Sequence, residues 1–596
     1  MNGQRAKARL IKLYGETAGA RTYEQLVELI SRWRKPIAAS LYKDNDGPEY
    51  GFTEKDTVLI AYGDHLQRDD EAPLKTLGDW CAKYLKGILS TVHVLPFHPS
   101  TSYEGYAITD YRAVDDKMGS WQDLEELNEN FHLMMDLVLN HCSSEHPWFQ
   151  QFLSDEEPGR RYFTTMEEPE TPWLKAVYRA RNLPLLHPFE TAAGTKHVWT
   201  TYSPDLIDMN WAEPDVFLEF MEIVFDSVAR GARIIRLDAF VYLWKKAGTN
   251  CINQEENHEF VRLFQDVLQM ANAHRVKILP SITNVTQEAN YAYFGKDEEA
   301  RKADLIYHLP LSALLLYSLY KGDATVIRQW LSKLPKAPPN RAYLNLAASH
   351  DGIGLTWLKD LIPQESIDEL IEEAVKHGAL LSSRKKTVND DDKPWELNAT
   401  YFSACSSDEP GNESEHIARF LATQNVVLAL RGVPALYLSL FLAGRNDYER
   451  AKQWKDNRAI NRGRFSIDEW EKKVEQEESV EAQVISALTN MLKVRTHCSA
   501  FHPDGDQTIV DTGVDEVLAI LRKPTETKEG SAVLCLTNFS GLPVSILKSS
   551  FGNYFQNDEI AVDMLTDVQL AEGADIKLLP YQVLWLTKNQ KNHALT

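Results

Sequence analysis

The sequence predicts an α/β fold: a (β/α)8 TIM barrel with loop subdomains, followed by a C-terminal all-β domain. Apolar strand-like runs alternate with amphipathic helical stretches over most of the 596 residues, the pattern of a parallel sheet with crossover helices. Three of those runs end in polar clusters, and barrels carry their functional groups at the carboxyl ends of their strands. Residues 496–596 change character, to short strands separated by turns. A chain of this length exceeds one core, so a large domain with at least one smaller one is the physical default.

Residues 1–50 hold a helical pattern, with Leu26, Leu29 and Ile30 at helical spacing, and read as an N-terminal helical extension packed on the main domain. The barrel is expected over 51–495. Its strands are read within 57–64, 90–99, 132–141, 232–240, 276–284, 303–310, 341–351 and 433–440, with a first helix around 73–87. Two gaps break the even spacing, at about 142–231 and about 352–417. Both open at the carboxyl end of a strand, where a barrel inserts its functional loops. The second gap is polar, acidic and turn-rich, and reads as a small loop subdomain or lid.

A net charge of -22 argues against a nucleic-acid surface and against a polyanionic substrate, while one phosphate could be held by a local arginine. The six cysteines, at 81, 142, 251, 405, 498 and 535, are scattered without a C-x-x-C pair, as expected of thiols in a reducing compartment. The first residues lack the apolar core of a signal peptide, and no apolar run is long enough to cross a bilayer. A cytoplasmic protein without a membrane partner is therefore expected. No glycine-rich phosphate loop precedes a helix and no His, Cys and Asp cluster has ligand spacing, so neither a cofactor nor a metal is implied.

The third run ends in Asp136-x-x-x-Asn140-His141, the fourth in Arg236-x-Asp238 and the seventh in His350-Asp351. Each cluster alone reads as a capping group or an ion pair; three at three strand ends of one barrel point to a site. The segments LMMDLVLNH, GARIIRLDAF and ASHDGIGL resemble short regions of glycoside hydrolase family 13. VLPFHPSTSYEGYAITDYRAVDDKMGSW, VWTTYSPDLIDMNW, ITNVTQEANYAYFG and GRNDYERAKQWKDNRAINR more narrowly resemble its sucrose phosphorylase subfamily. The N-terminal extension is similar to that of the glucosylglycerate and glucosylglycerol phosphorylases. The resemblance implies retaining transfer of glucose between a small α-glucoside (sucrose, glucosylglycerate or glucosylglycerol) and inorganic phosphate, giving α-glucose 1-phosphate. It makes Asp238 the nucleophile, which would form a covalent glucosyl ester. Arg236, on the same strand face, would hold it ionised by lowering its pKa. Asp351 would grip the sugar 2- and 3-hydroxyls, and His141, His350 and Asp136 would complete the sugar-binding set.

Two departures stand out. The family carries its acid/base glutamate in a segment of the form T-E-T-N-V; here Pro280-Ser281-Ile282-Thr283-Asn284-Val285 places Ile282 at that position. Isoleucine neither gives nor takes a proton, and loss of a positioned acid/base costs about 10²- to 10⁴-fold. Glu288 lies beyond the strand. In Ser102-Tyr103-Glu104-Gly105-Tyr106, Glu104 replaces the family's shorter aspartate, which grips the far hydroxyls of the ring. Arg445, Arg458 and Arg462 are candidates for phosphate, because a planar guanidinium suits its oxygens; a surface ion pair is the plainer reading of each. Three functions stay open, the first two being a phosphorylase-like glucosyltransferase with impaired or altered catalysis and a sugar-binding protein of the same family without turnover. A hydrolase or transglycosylase acting on a donor with a good leaving group is a third. Expected partners are the small sugar and inorganic phosphate, and a homodimer would be unsurprising.

Overall fold

The computed structural model describes all residues except 1, 42–50, 103, 296–300, 388, 408–410, 553, 555–560, 571–574 and 589–596. The expected domain boundary at residue 50 lies outside the described residues, as does Tyr103 of the 102–106 segment.

Eight strands form the main sheet: β1 (Val58–Ala61), β2 (Thr91–Val94), β3 (His132–Val138), β4 (Ala232–Asp238), β5 (Lys277–Pro280), β6 (Leu305–Tyr307), β7 (Ala342–Asn345) and β8 (Val433–Tyr437). They pair in parallel in the order β5-β4-β3-β2-β1-β8-β7-β6, and β5 lies beside β6 to bring the barrel near closure. Each lies inside a run read from the sequence. They are shorter than those runs because the polar ends leave the ladder and become loops. Strands buried on both faces need apolar side chains on both, so Leu59, Ile60, Val92, Leu133, Ile235, Ile278, Leu344 and Leu436 are all at most 2% exposed. Helices cover the barrel, among them Pro73–Tyr84, Pro214–Ala229, Glu255–Met270 and Glu413–Ala429. Two of them begin with proline, whose missing N–H costs nothing in a first turn. Asn412 caps a third by accepting from the Glu415 N–H.

The N-terminal residues form a helical hairpin, α1 (Asn2–Tyr14) and α2 (Glu16–Leu41), laid on the 214–229 and 255–270 helices. Leu26, Leu29 and Ile30 are buried there. The two helices touch backbone to backbone at Gly19, where any side chain would strike Ile11. Arg5 Nε lies 3.0 Å from Asp266, and Arg9 reaches Asp266 at 2.9 Å and Glu259 at 2.7 Å.

After β3 comes a loop region with a small antiparallel sheet of Thr165–Met166, Leu186–Thr191 and Gly194–Trp199. After β7 comes a second, in which Ile353–Gly354, Leu380–Arg384 and Lys393–Asn398 form a three-stranded sheet beside the helix Gln364–Lys376. Both regions stop short of the expected 231 and 417, because the 214–229 and 413–429 helices belong to the barrel wall. The last domain is a five-stranded antiparallel sheet (Asp506–Val510, Val517–Lys523, Val533–Asn538, Val583–Lys588 and Ala561–Asp563) facing a two-stranded one. It has its own apolar cluster, around Val517, Leu534, Leu578 and Leu586. The Trp585 indole donates to Asn425 at 2.5 Å and Arg522 donates to the Ala429 carbonyl at 2.8 Å, tying it to the barrel. All six cysteines are buried free thiols. Among the described residues no helix is long and apolar enough to cross a membrane.

Candidate active site

Arg236 and Asp238 sit two residues apart on β4 and therefore share a face. Sheet register sets Asp136 of β3 directly beside Arg236. The Arg236 Nη1 donates to Asp136 and, at 2.8 Å, to Asp238 Oδ1. Its Nε donates to the Tyr307 hydroxyl at 3.0 Å and its Nη2 to Ser281 Oγ at 3.2 Å. His93 Nε2 meets the other Asp136 oxygen at 2.8 Å. The Asp136 side chain is 0% exposed; it is engaged by Arg236 and His93 and does not line the cavity, where its expected place in the sugar-binding set would put it. Ala239 and Asn284, with φ of 50° and 66°, turn the chain sharply after β4 and β5.

A second cluster faces the first. Arg458 donates from Nη1 to Asp351 at 2.5 Å and grips Glu396 with Nε and Nη2 at 2.8 and 2.6 Å. Arg462 is ion-paired with Glu104, donates to the His350 carbonyl at 2.9 Å and lies 4.0 Å from Asp351. Tyr106 Oη and His350 Nε2 are 2.8 Å apart. The 104–106 turn needs Gly105, whose φ is 81° and whose added Cβ would collide with the Pro96 carbonyl.

Between the clusters lies a cavity of about 430 Å³, lined by Asp238, Asp351, His141, His350, Glu104, Arg458 and Arg462 among others. That volume suits a small ligand. Segments far apart in the chain thus converge on one end of the barrel, as their strand-end positions imply. Arg445 does not join them: it is 54% exposed and forms a bidentate pair with Glu413, both contacts at 2.9 Å. Ile282 is 1% exposed, packed in the apolar core, while Ser281, Thr283 and Asn284 line the cavity.

Burial pushes the Asp238 carboxyl up to about 6, against the pull of Arg236 and with the help of Asp136 and Asp351. The expected lowering by Arg236 is present but is outweighed by burial, with the charges of Asp136 and Asp351 adding to the rise. Asp351 is the opposite case. Burial raises its pKa, but Arg458, His350 and Arg462 together hold it well below the usual carboxylate range. Burial also lowers His350 to about 3 and His141 to about 4, so both rings are neutral at pH 7.

Residues 81–337 match the family model of the alpha amylase catalytic domain. Over 583 residues the chain is 37% identical to the glucosylglycerate phosphorylase of Spirochaeta thermophila, covering 96% of this chain and 97% of that one. This chain belongs to glycoside hydrolase family 13, in its sucrose and glucosylglycerate phosphorylase branch. The glucosylglycerate phosphorylase of Escherichia coli K12 is 34% identical over 579 residues, 97% of this chain and 98% of that one. The crystal structure of sucrose 6F-phosphate phosphorylase from Thermoanaerobacter thermosaccharolyticum superposes with a TM-score of 0.72 at 24% identity, over 91% of this chain and 99% of that one; at that identity the likeness is one of fold.

Sequence reasoning passed over several cavity residues of this family member. Arg181 and Arg384 line the cavity, and among the described residues neither is ion-paired to a carboxylate. Arg384 lies over the Trp395 ring at 4.1 Å, donates to the Tyr178 hydroxyl at 2.8 Å and donates to the Asn284 side-chain amide oxygen Oδ1. Arg181 lies 5.5 Å from the Tyr202 ring centre and 5.9 Å from that of Trp395. Arg458 approaches the same indole at 5.3 Å, so three guanidiniums surround one ring. The only signal for these residues was their position inside the two loop regions.

Proposed function

We propose that the chain is a retaining, phosphorylase-type glucosyltransferase that moves a glucosyl unit between a small α-glucoside and phosphate through an ester on Asp238. The observation that carries this reading is the pairing of Asp238 with Arg236 at a strand end, facing the arginine-clamped Asp351 across the cavity. The phosphorylase names of its relatives support the same chemistry. Asp238 attacks the anomeric carbon while its in-line leaving oxygen departs; phosphate then attacks from the vacated side, and two inversions retain the α configuration. Asp351, fixed by Arg458, accepts from ring hydroxyls, and His141 and His350 offer neutral nitrogens for hydroxyls on the other edge. Arg181 and Arg384 supply the positive charge for phosphate, because Arg458 and Arg462 are already engaged by Asp351, Glu396 and Glu104.

Incubation with α-glucose 1-phosphate, acid quench and peptide mass spectrometry tests this reading. A glucosylated peptide containing Asp238, absent from Asp238→Asn, is expected; glucosyl-free peptide under conditions where the sugar phosphate binds would contradict it. Arg384→Ala and Arg181→Ala are each expected to raise the KM for phosphate by about tenfold or more, the worth of a charge-assisted hydrogen bond, with little change in sugar binding measured by calorimetry. One observation favours the second reading, a sugar-binding protein without turnover: the apolar, buried Ile282 at the end of β5. Saturable sugar binding with no glucosylated peptide at any time point would select it.

A further inference from the structure

Retaining transfer to and from an alcohol needs a second carboxyl group that protonates the leaving oxygen and later deprotonates the acceptor. The cavity holds no group suited to that cycle among the described residues that line it. Glu104, Asp238, Asp351 and Glu396 are each ion-paired with an arginine. Asp456 is committed to capping the 457–461 turn, accepting from the Arg458 N–H at 2.9 Å. Ile282 offers no polar atom. His141 and His350 are neutral and have no acidic proton to give, and burial raises the Tyr106, Tyr202 and Tyr307 hydroxyls above their ordinary range. In contrast, the cavity is well provided with positive charge, in Arg181 and Arg384 beside Trp395.

We infer that this site prefers anionic oxygens, exchanging glucose between α-glucose 1-phosphate and phosphate or a small carboxylate without passing a proton to or from the protein, and that the half-reaction with the alcohol of an α-glucoside is the slow one. The inference rests on the glucosyl-Asp238 reading above. The chemistry balances without an acid/base. A sugar phosphate in its monoanionic form keeps its own proton, so attack by the Asp238 carboxylate breaks the anomeric C–O bond and releases the hydrogen phosphate dianion. The same dianion, or a carboxylate, then attacks the glucosyl ester with a lone pair it already has. The products are the sugar phosphate monoanion or a 1-O-acyl-α-glucose, and the Asp238 carboxylate is regenerated. An alcohol would have to leave as an alkoxide and to attack with its proton in place, and both steps are slow without a carboxyl group.

The full chain and its Ile282→Glu variant are to be given α-glucose 1-phosphate with isotopically labelled phosphate, acetate or glycerol, and the products followed by mass spectrometry and NMR. The expected result is phosphate exchange and an acetyl-α-glucose ester from the natural chain, with glucosylglycerol at least about 100-fold below that of the variant. Phosphate exchange accompanied by glycerol transfer within about tenfold of the variant would overturn the inference and leave glucosyl transfer standing. Absence of exchange in both proteins would overturn glucosyl transfer itself. Because a buried glutamate can prevent folding, a second measurement uses the natural chain alone, with 4-nitrophenyl, phenyl and methyl α-glucosides as donors. Rates that fall steeply in that order are expected, since the leaving group departs without a proton; equal rates would overturn the inference.

Discussion

Asp238 and Asp351 are two carboxylates in one cavity, held in opposite electrostatic conditions. Asp351 is surrounded by positive charge and stays ionised, while Asp238 shares one guanidinium with Asp136 and its pKa is raised to about 6. A folded pKa above the unfolded value means that the charged form opposes folding. That penalty is present above about pH 6 and is gone below the ordinary carboxylate range near pH 4. Asp238→Asn is therefore expected to stabilise the fold on the order of 2 kcal/mol at pH 8 and to leave Tm unchanged at pH 4, while abolishing the glucosyl ester; thermal melts at the two pH values check it. Arg458 carries the reverse expectation. Arg458→Met leaves Asp351 and the buried Glu396 without their partner and is expected to cost about 3 kcal/mol, read as a fall in the urea midpoint. At this scale the sequence marked Asp238, Arg236, Asp351, His141 and His350, because each ends an apolar strand. It placed Asp136 in the sugar-binding set, since only register reveals that Asp136 lies under Arg236, and it kept Arg445 as one of three phosphate candidates beside the plainer ion pair, which is the one formed, with Glu413.

The barrel strands were legible because a strand buried on both faces must be a short continuous apolar run, and eight such runs alternating with helical stretches leave few alternatives. The loop regions were legible as gaps but not as shapes. Arg181 and Arg384 come from different loops and meet over Trp395 through packing that no local periodicity encodes. The N-terminal hairpin is an element with a purely structural place: it covers two barrel helices, and its arginines neutralise Glu259 and Asp266. Removal of residues 1–41 is expected to lower Tm by several degrees, about what 1–3 kcal/mol produces in a chain of this size. Phosphate exchange below the new Tm should persist, because the cavity lies at the strand ends and the hairpin contributes none of its lining. Loss of exchange in a still-folded truncation would contradict that separation.

At the scale of the whole molecule, a barrel supplies rigid strand ends, two loop regions close over them, and the C-terminal sheet braces the outer helices. The outcome is a cavity in which arginines pair with the carboxylates Asp238, Asp351, Glu104 and Glu396. Such a site acts on a donor that brings its own proton only within a narrow pH range. Asp238 must be ionised, which requires pH above about 6, and the sugar phosphate must retain its proton, which is lost above a pKa of about 6. Phosphate exchange is therefore expected to peak near pH 6 and to fall on both sides, about tenfold for each further unit. A broad optimum extending above pH 8 would show that a proton donor on the protein is at work. The most direct test of the central claim is the search for glucose on Asp238. The account predicts a glucosylated Asp238 peptide when the chain meets α-glucose 1-phosphate, lost on adding phosphate and absent from Asp238→Asn; an unmodified Asp238 in a protein saturated with the sugar phosphate would contradict it.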